Sequence, residues 1–160
     1  MAARFAVSQE ALDAALLRSA LPSFGGQATG AVITFEGLVR ATNQGRQVLR
    51  LVYEGYEPMI VRVFEQIARE IDDAWPGTAC AIHHRLGTLQ IGDVSIVIAT
   101  ASAHRAAAYA ASRYAIERVK QIAPIWKHEH FEGGQVWIEG AVAGADDDEA
   151  RKKAMAAACA

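Results

Sequence analysis

The chain has 160 residues, 52% hydrophobic and 21% charged, with a formal net charge of −2. A chain of that length folds as one domain that buries roughly 70% of its unfolded surface, and the composition excludes disorder. The charge balance excludes bulk nucleic-acid binding, which needs a basic face, and no apolar run approaches the roughly 18 residues of a membrane span.

Arg4 to Val7 reads as a short strand. Ser8, with Glu10 following, fits an N-cap for a helix carrying Leu12, Leu16 and Ala20 on one face. Pro22 to Gly30 holds three glycines and a proline and reads as a loop. Ala31 to Val39 alternates as a strand, with Val32, Thr34, Glu36 and Leu38 on one face and Ile33, Phe35 and Val39 on the other. A polar turn, Ala41 to Gly45, leads to a second strand, Val48 to Tyr56, and the order predicts a hairpin of the two. Pro58 fits the first position of a helix in which Ile60, Val63, Phe64, Ile67 and Ile71 share a face. Trp75-Pro76-Gly77 ends it. Ala79 to Leu86 is a strand, Gly87 to Gly92 contains a turn, and Asp93 to Ala101 runs apolar like a buried central strand.

A helix from Ala103 to about Ile122 follows and must stop near Pro124. Trp126 to Phe131 and Gln135 to Glu139 form a hairpin around Gly133-Gly134. From Ala141 the chain is rich in alanine and charge, and Asp146 to Glu149 followed by Arg151 to Lys153 suits the dipole of a short helix. The mixed order, with hairpins, predicts an α+β fold with mixed or antiparallel sheets and flanking helices. Residues 1–140 form its body and 141–160 a helical tail.

The chemistry concentrates around the long helix. Ser102-Ala103-His104-Arg105 puts two cations in its first turn, where the helix dipole disfavours each by roughly 0.3–1 kcal/mol. The same N–H groups with His and Arg make a cradle for a phosphate or carboxylate. The bland alternative is that Ser102 caps the helix and the cations face solvent. Lys120 lies in the last turns, where a cation is favoured in any case. Lys127 sits beside Ile125 and Trp126, and a lysine with apolar neighbours has a lowered pKa and becomes a usable base or nucleophile. Arg40 ends a strand, with Arg46 beyond the turn; arginine matches phosphate as a planar fork, or simply solvates a strand end.

His83 and His84 are adjacent in a strand and point to opposite faces, so they do not readily share a metal. His128 and His130 could share one, but no third ligand has recognisable spacing, and no metal site is expected. Cys80 reads as core packing. Cys80 and Cys159 have no CxxC spacing, and the N-terminus carries no leader signal. A reducing cytoplasm and a soluble protein are the expectation. The P-loop, the dinucleotide-binding GxGxxG and GxSxG are all missing from the sequence.

Several motifs occur in one order: Gly30 to Arg40 (GAVITFEGLVR), Tyr53 to Met59 (YEGYEPM), His84-Arg-Leu-Gly87, Ser102-Ala-His-Arg105 and Pro124-Ile-Trp-Lys127. Over roughly residues 28 to 140 the chain resembles the catalytic (large) subunit of molybdopterin synthase, the MoaE family. The resemblance implies an α/β hammerhead fold. It implies a sulfurtransferase that installs the two dithiolene sulfurs of molybdopterin on cyclic pyranopterin monophosphate. Sulfur arrives as a thiocarboxylate on the C-terminal Gly-Gly of a small ubiquitin-like partner of the MoaD type. Two large subunits form a central homodimer with a small subunit at each end, a heterotetramer. No cofactor is implied, since molybdenum enters later on other proteins.

Lys120 and Lys127 match the family's two active-site lysines. Arg40, His104 and Arg105 match substrate-binding positions, and Arg46 falls near another. Leu38 and Val39 beside Arg40, and His128 and Glu129 beside Lys127, are carried over as substrate-binding with them. Leu38 and His128 depart from the family pattern, because basic residues are common at both. The expected mechanism has His104 and Arg105 holding phosphate with help from Arg40, while the lysines orient the thiocarboxylate and move protons. Two alternatives stand beside it: a non-catalytic docking module for a ubiquitin-like protein, and another phosphate-ester enzyme assisted by metal at His128 and His130.

Overall fold

The structure is a computed structural model that describes residues 2–22, 26–138 and 140–160. Strand β7 (Val94–Ser102) is its centre, and its long apolar run follows from being covered on both faces. Strand β7 pairs with β5 (Ala79–Arg85) on one side and with β2 (Ala31–Leu38) on the other, both antiparallel. Strand β1 (Phe5–Ser8) adds in parallel to β5, giving the order β1-β5-β7-β2. Ile96 and Ile98 face two long helices, α2 (Glu57–Ala74) and α3 (Arg105–Ile122). Val97, Ala99 and Ala101 face the short helix α1 (Ala14–Ser19).

The predicted amphipathic helix is α2, and Ile60, Phe64, Ile67 and Ile71 are fully buried. Tyr56 is its N-cap, so Pro58 takes the second helical position rather than the first. Ser8 caps no helix: it ends β1 in register with Arg85, and its hydroxyl accepts the Glu10 N–H at 2.9 Å. Helix α1 starts later, where the Asp13 carboxylate accepts the Leu16 N–H at 3.0 Å. That shift buries Leu17 and leaves Leu16 half exposed. Asp13→Ala should cost about 1 kcal/mol, read from the urea midpoint.

The expected hairpin of 31–39 with 48–56 does not form. Strand β4 (Arg46–Gly55) belongs to a second sheet, between β6 (Gly87–Gln90) and β8 (Ile125–Phe131). The chain leaves the first sheet at a bulge between Gly37 and Leu38, and the Val39 N–H is taken by the Asp93 carbonyl at 2.9 Å. The polar turn instead folds β3 (Thr42–Asn43) onto the start of β4, with Gln44 and Gly45 at φ 50° and 75°. Positive φ at both central residues is what a tight hairpin requires. Residues 87–92 are also more than a turn, because β6 precedes the bend at Ile91-Gly92.

Helix α3 starts two residues later than expected from its sequence, with His104 as N-cap. Ser102 does not cap it; its hydroxyl is buried and accepts from Thr78 Oγ1 at 3.0 Å. The last hairpin joins β8 to β9 (Gly134–Ile138) through Glu132 and Gly133, one residue before the expected turn. Glu139, assigned to that hairpin from the sequence, lies outside the described residues.

Helix α4 (Asp148–Ala158) packs on α3. The guanidinium of Arg118, fully buried, grips Glu70 with two bonds of 2.8 Å and donates to Gln121 Oε1 and the Ala145 carbonyl. Gln121 in turn donates to the Ala150 carbonyl. Among the described residues no helix is long and apolar enough to cross a membrane.

Candidate functional site

The two sheets meet beside the C-terminal end of α3, and the pleat of β8 decides which side chains enter the junction. Ile125, Lys127 and Glu129 point inward, while Trp126, His128 and His130 point out. Glu129 is 1% exposed. It accepts Asn43 Nδ2 at 2.9 Å and Arg46 Nη2 at 3.4 Å. Burial lowers the pKa of the half-buried Lys127 ammonium; Glu129 opposes this, and Lys120 and Arg40 add to it, leaving it below the usual lysine value.

Lys120, Lys127, Arg40 and Glu129 share a cavity of about 150 Å³ with Leu38 and Val39. Three cations around one anchored carboxylate favour an anionic ligand. A second cavity, of about 390 Å³, shares Lys120 and Lys127 with the first, and Ile116, Val119, Ile125 and Val142 make its walls apolar. The stretch after β9 contributes Gly140 and Val142 to the lining of the second cavity. A Cβ at Gly140 would run into the Ile125 carbonyl oxygen, so only glycine lets the chain pass there. Beyond it, the Val142 and Ala143 N–H groups donate to the Gln121 carbonyl at 2.9 and 3.0 Å.

Other residues singled out from the sequence lie elsewhere. His104 and Arg105 are exposed at the opposite end of α3, about 22 Å from Lys120 at 1.5 Å per residue. The sheet gives the same separation, since Ala31 pairs with Ser102 and Leu38 with Val94. His128 is on the outer face of β8, stacked on Trp137 with centroids 4.2 Å apart and 12° between planes. Its ring is 4.3 Å from that of His130. Among the described residues, no three His, Cys, Asp or Glu side chains converge as a metal site. Arg46 backs the cavity through Glu129 and lies 4.8 Å over the Phe131 ring. Burial pushes the Cys80 thiol up to about 12, which suits a core residue.

Sequence reasoning missed Asn43, Tyr53 and His84. The signal for His84 was present, because Cys80, Ile82 and His84 alternate onto one face of β5. Burial lowers the His84 pKa to about 4, with the Arg85 carbonyl opposing and Lys120 adding to the shift.

Fold and site together define an α+β group-transfer enzyme for an anionic substrate, with a lysine pair between a polar and an apolar compartment. The profile of the family described as "MoaE protein" matches residues 7–122. The chain belongs to the MoaE family. The molybdopterin synthase catalytic subunit of Bacillus subtilis (strain 168) is 53% identical over 109 residues, 68% of this chain and 69% of the relative. The crystal structure of molybdopterin synthase from Staphylococcus aureus superposes with a TM-score of 0.81 at 40% identity, covering 86% of this chain and 98% of that one. A complex of subunits 1 and 2 of molybdopterin-converting factor from Helicobacter pylori 26695 gives 0.69 at 26% identity, covering 84% and 90%.

Proposed function

We infer that the chain is the catalytic subunit of a molybdopterin synthase. It moves sulfur from the C-terminal thiocarboxylate of a small ubiquitin-like carrier to cyclic pyranopterin monophosphate. The observation that carries this is the lysine pair common to both cavities. The polar cavity suits the pterin, and the apolar one suits an extended carrier tail. Each transfer forms a carbon–sulfur bond on the pterin side chain and expels an oxygen, which needs a proton. Water then cleaves the acyl–sulfur bond and leaves the tail as a carboxylate. An ammonium between the two ligands can hold the thiocarboxylate and supply that proton.

Arg40 lies at this cavity and His104 with Arg105 does not, so a phosphate held by all three requires two copies of the chain. In a two-fold dimer, His104 and Arg105 of one copy serve the pocket of the other. The two free cysteines, Cys80 buried and Cys159 exposed, fit a reducing cytoplasm.

The test is a single-turnover assay with cyclic pyranopterin monophosphate and a thiocarboxylated carrier, scored as molybdopterin formed. Product from the wild-type chain supports the reading, and none with an active carrier removes it. The same assay tests the shared site. Lys127→Ala and the double change His104→Ala, Arg105→Ala should each be inactive alone. Unfolded and refolded together, they should regain about a quarter of the wild-type yield, since half the dimers are mixed and each holds one intact site. No regain would return His104 and Arg105 to a role outside the pocket.

A further inference from the structure

One polar atom in the apolar cavity takes no part in the chemistry above. His84 lines that cavity and is 6% exposed. Its Nδ1 is 2.8 Å from the Arg85 carbonyl oxygen, and a carbonyl only accepts, so Nδ1 carries the ring proton. The ring stays neutral above about pH 4 because it is buried, so Nε2 keeps a bare lone pair. The Tyr53 ring stands edge-on to the imidazole at 4.9 Å and 75°, which fixes its plane. Nε2 has no donor among the described residues, yet it is not sealed from solvent as the nitrogens Arg4 Nε and Arg46 Nε are.

Lys120 lines the same cavity and presents N–H donors that meet no acceptor among the described residues. Among the polar groups lining the cavity, beside Lys127, Tyr53 and Ser95, His84 Nε2 is a neutral acceptor and Lys120 a cationic donor, set between apolar walls. A peptide unit is complementary to that pair, with its C=O toward the lysine and its N–H toward the histidine.

We propose that His84 is a specificity-determining residue that reads the last peptide unit of the sulfur carrier, its Nε2 accepting the N–H of the terminal glycine while Lys120 takes the carbonyl. This rests on the function inferred above. An acyl end without that N–H leaves Nε2 buried and unpaired, so it is rejected even when it fits the apolar walls.

The test uses the full chain and two carriers with ordinary carboxylate ends, one natural and one with glycolic acid in place of the last glycine. That exchange removes the N–H and adds no bulk. Wild-type chain should bind the glycolate carrier roughly tenfold more weakly. His84→Leu should bind the natural carrier roughly tenfold more weakly and show no further loss with glycolate. His84→Gln, which restores an acceptor, should recover discrimination, and the KM for the pterin, read separately with the thiocarboxylated natural carrier, should stay unchanged in both variants. Equal binding of the two carriers by wild-type chain overturns the proposal, even if the variant does not fold. So does undiminished discrimination by His84→Leu. Absence of carrier binding and of turnover in the wild-type chain would instead remove the synthase reading and this proposal with it.

Discussion

Replacing Lys127 by alanine lowers molybdopterin formation in a single turnover by about a thousandfold, the range of a lost general acid or base. Lys127 lines both cavities together with Lys120, and the proposed function brings sulfur donor and pterin together there. Its ammonium pKa lies below the usual 10.5 because of burial, so the proton is given up more readily than by an exposed lysine. If the ammonium supplies the proton, yield is steady near neutral pH and falls as pH rises through that lowered value. Lys127→Arg keeps the charge and hydrogen bonds but cannot release a proton in this range. It should bind both ligands and turn over no faster than the alanine variant. Stability gives the control. A lysine whose pKa is lowered by folding makes the native state less stable at every pH where it is charged. Lys127→Met should therefore melt no lower than the wild-type chain, and lost activity with a retained melting point places the loss in the chemistry. A turnover within a few-fold of wild type in Lys127→Ala would remove this lysine from the mechanism.

Arg118→Met should destabilise the fold by about 3–5 kcal/mol, because it strands the Glu70 carboxylate in the interior. For a chain of this size that lowers the melting temperature by roughly 10 °C. Glu70 is 10% exposed in its side chain and Arg118 is fully buried. Burial raises the Glu70 pKa, but the hydrogen bonds from Arg118, Tyr114 and Gln66 outweigh it and hold the carboxyl below its ordinary 4.5. The sign follows from linkage. A carboxyl with a depressed folded pKa contributes stability that is complete above the unfolded value and is lost as pH falls through the folded one. The wild-type chain should lose stability into that acid range more steeply than Arg118→Met does. Replacing both partners, Glu70→Met with Arg118→Met, should recover much of the loss, since no charge is then left unpaired. Urea titrations at neutral and acid pH read all three, and a single substitution costing under 1 kcal/mol would show the pair to be dispensable.

Periodicity made some elements legible and left others hidden for identifiable reasons. Helix α2 was plain because its five apolar positions repeat at helical spacing and four of them are fully buried. Strand β7 was plain because a run covered on both faces carries no charged residue. Strand pairing was not, since Val32 to Leu38 alternates equally well against β4 or β7. The choice is made by a bulge at Gly37 and two backbone bonds at Val39, which leave no mark in composition. The first helix was misplaced because Ser8 and Asp13 are both good caps, and only the parallel pairing of β1 with β5 keeps Ser8 in a strand. At the site, Lys120 from α3, Lys127 from β8 and Arg40 from the connection after β2 come together, a convergence that the family motifs implied and spacing alone did not. The distance from Arg105 to Lys120 was within reach of the sequence, since fifteen helical steps cannot close on one small ligand.

Helix α3 holds Arg118, Lys120 and Gln121 within one turn. Arg118 and Gln121 lie on the side that grips residues 145 and 150, and Lys120 lies about 200° round from Arg118, toward the cavities. Adding or deleting one residue would rotate part of the helix by about 100° and misplace the grip, the lysine or the alanines packed against the core. Changes in length during descent should therefore collect at exposed tips such as Glu132-Gly133, and α3 should keep its residue count even where its sequence drifts.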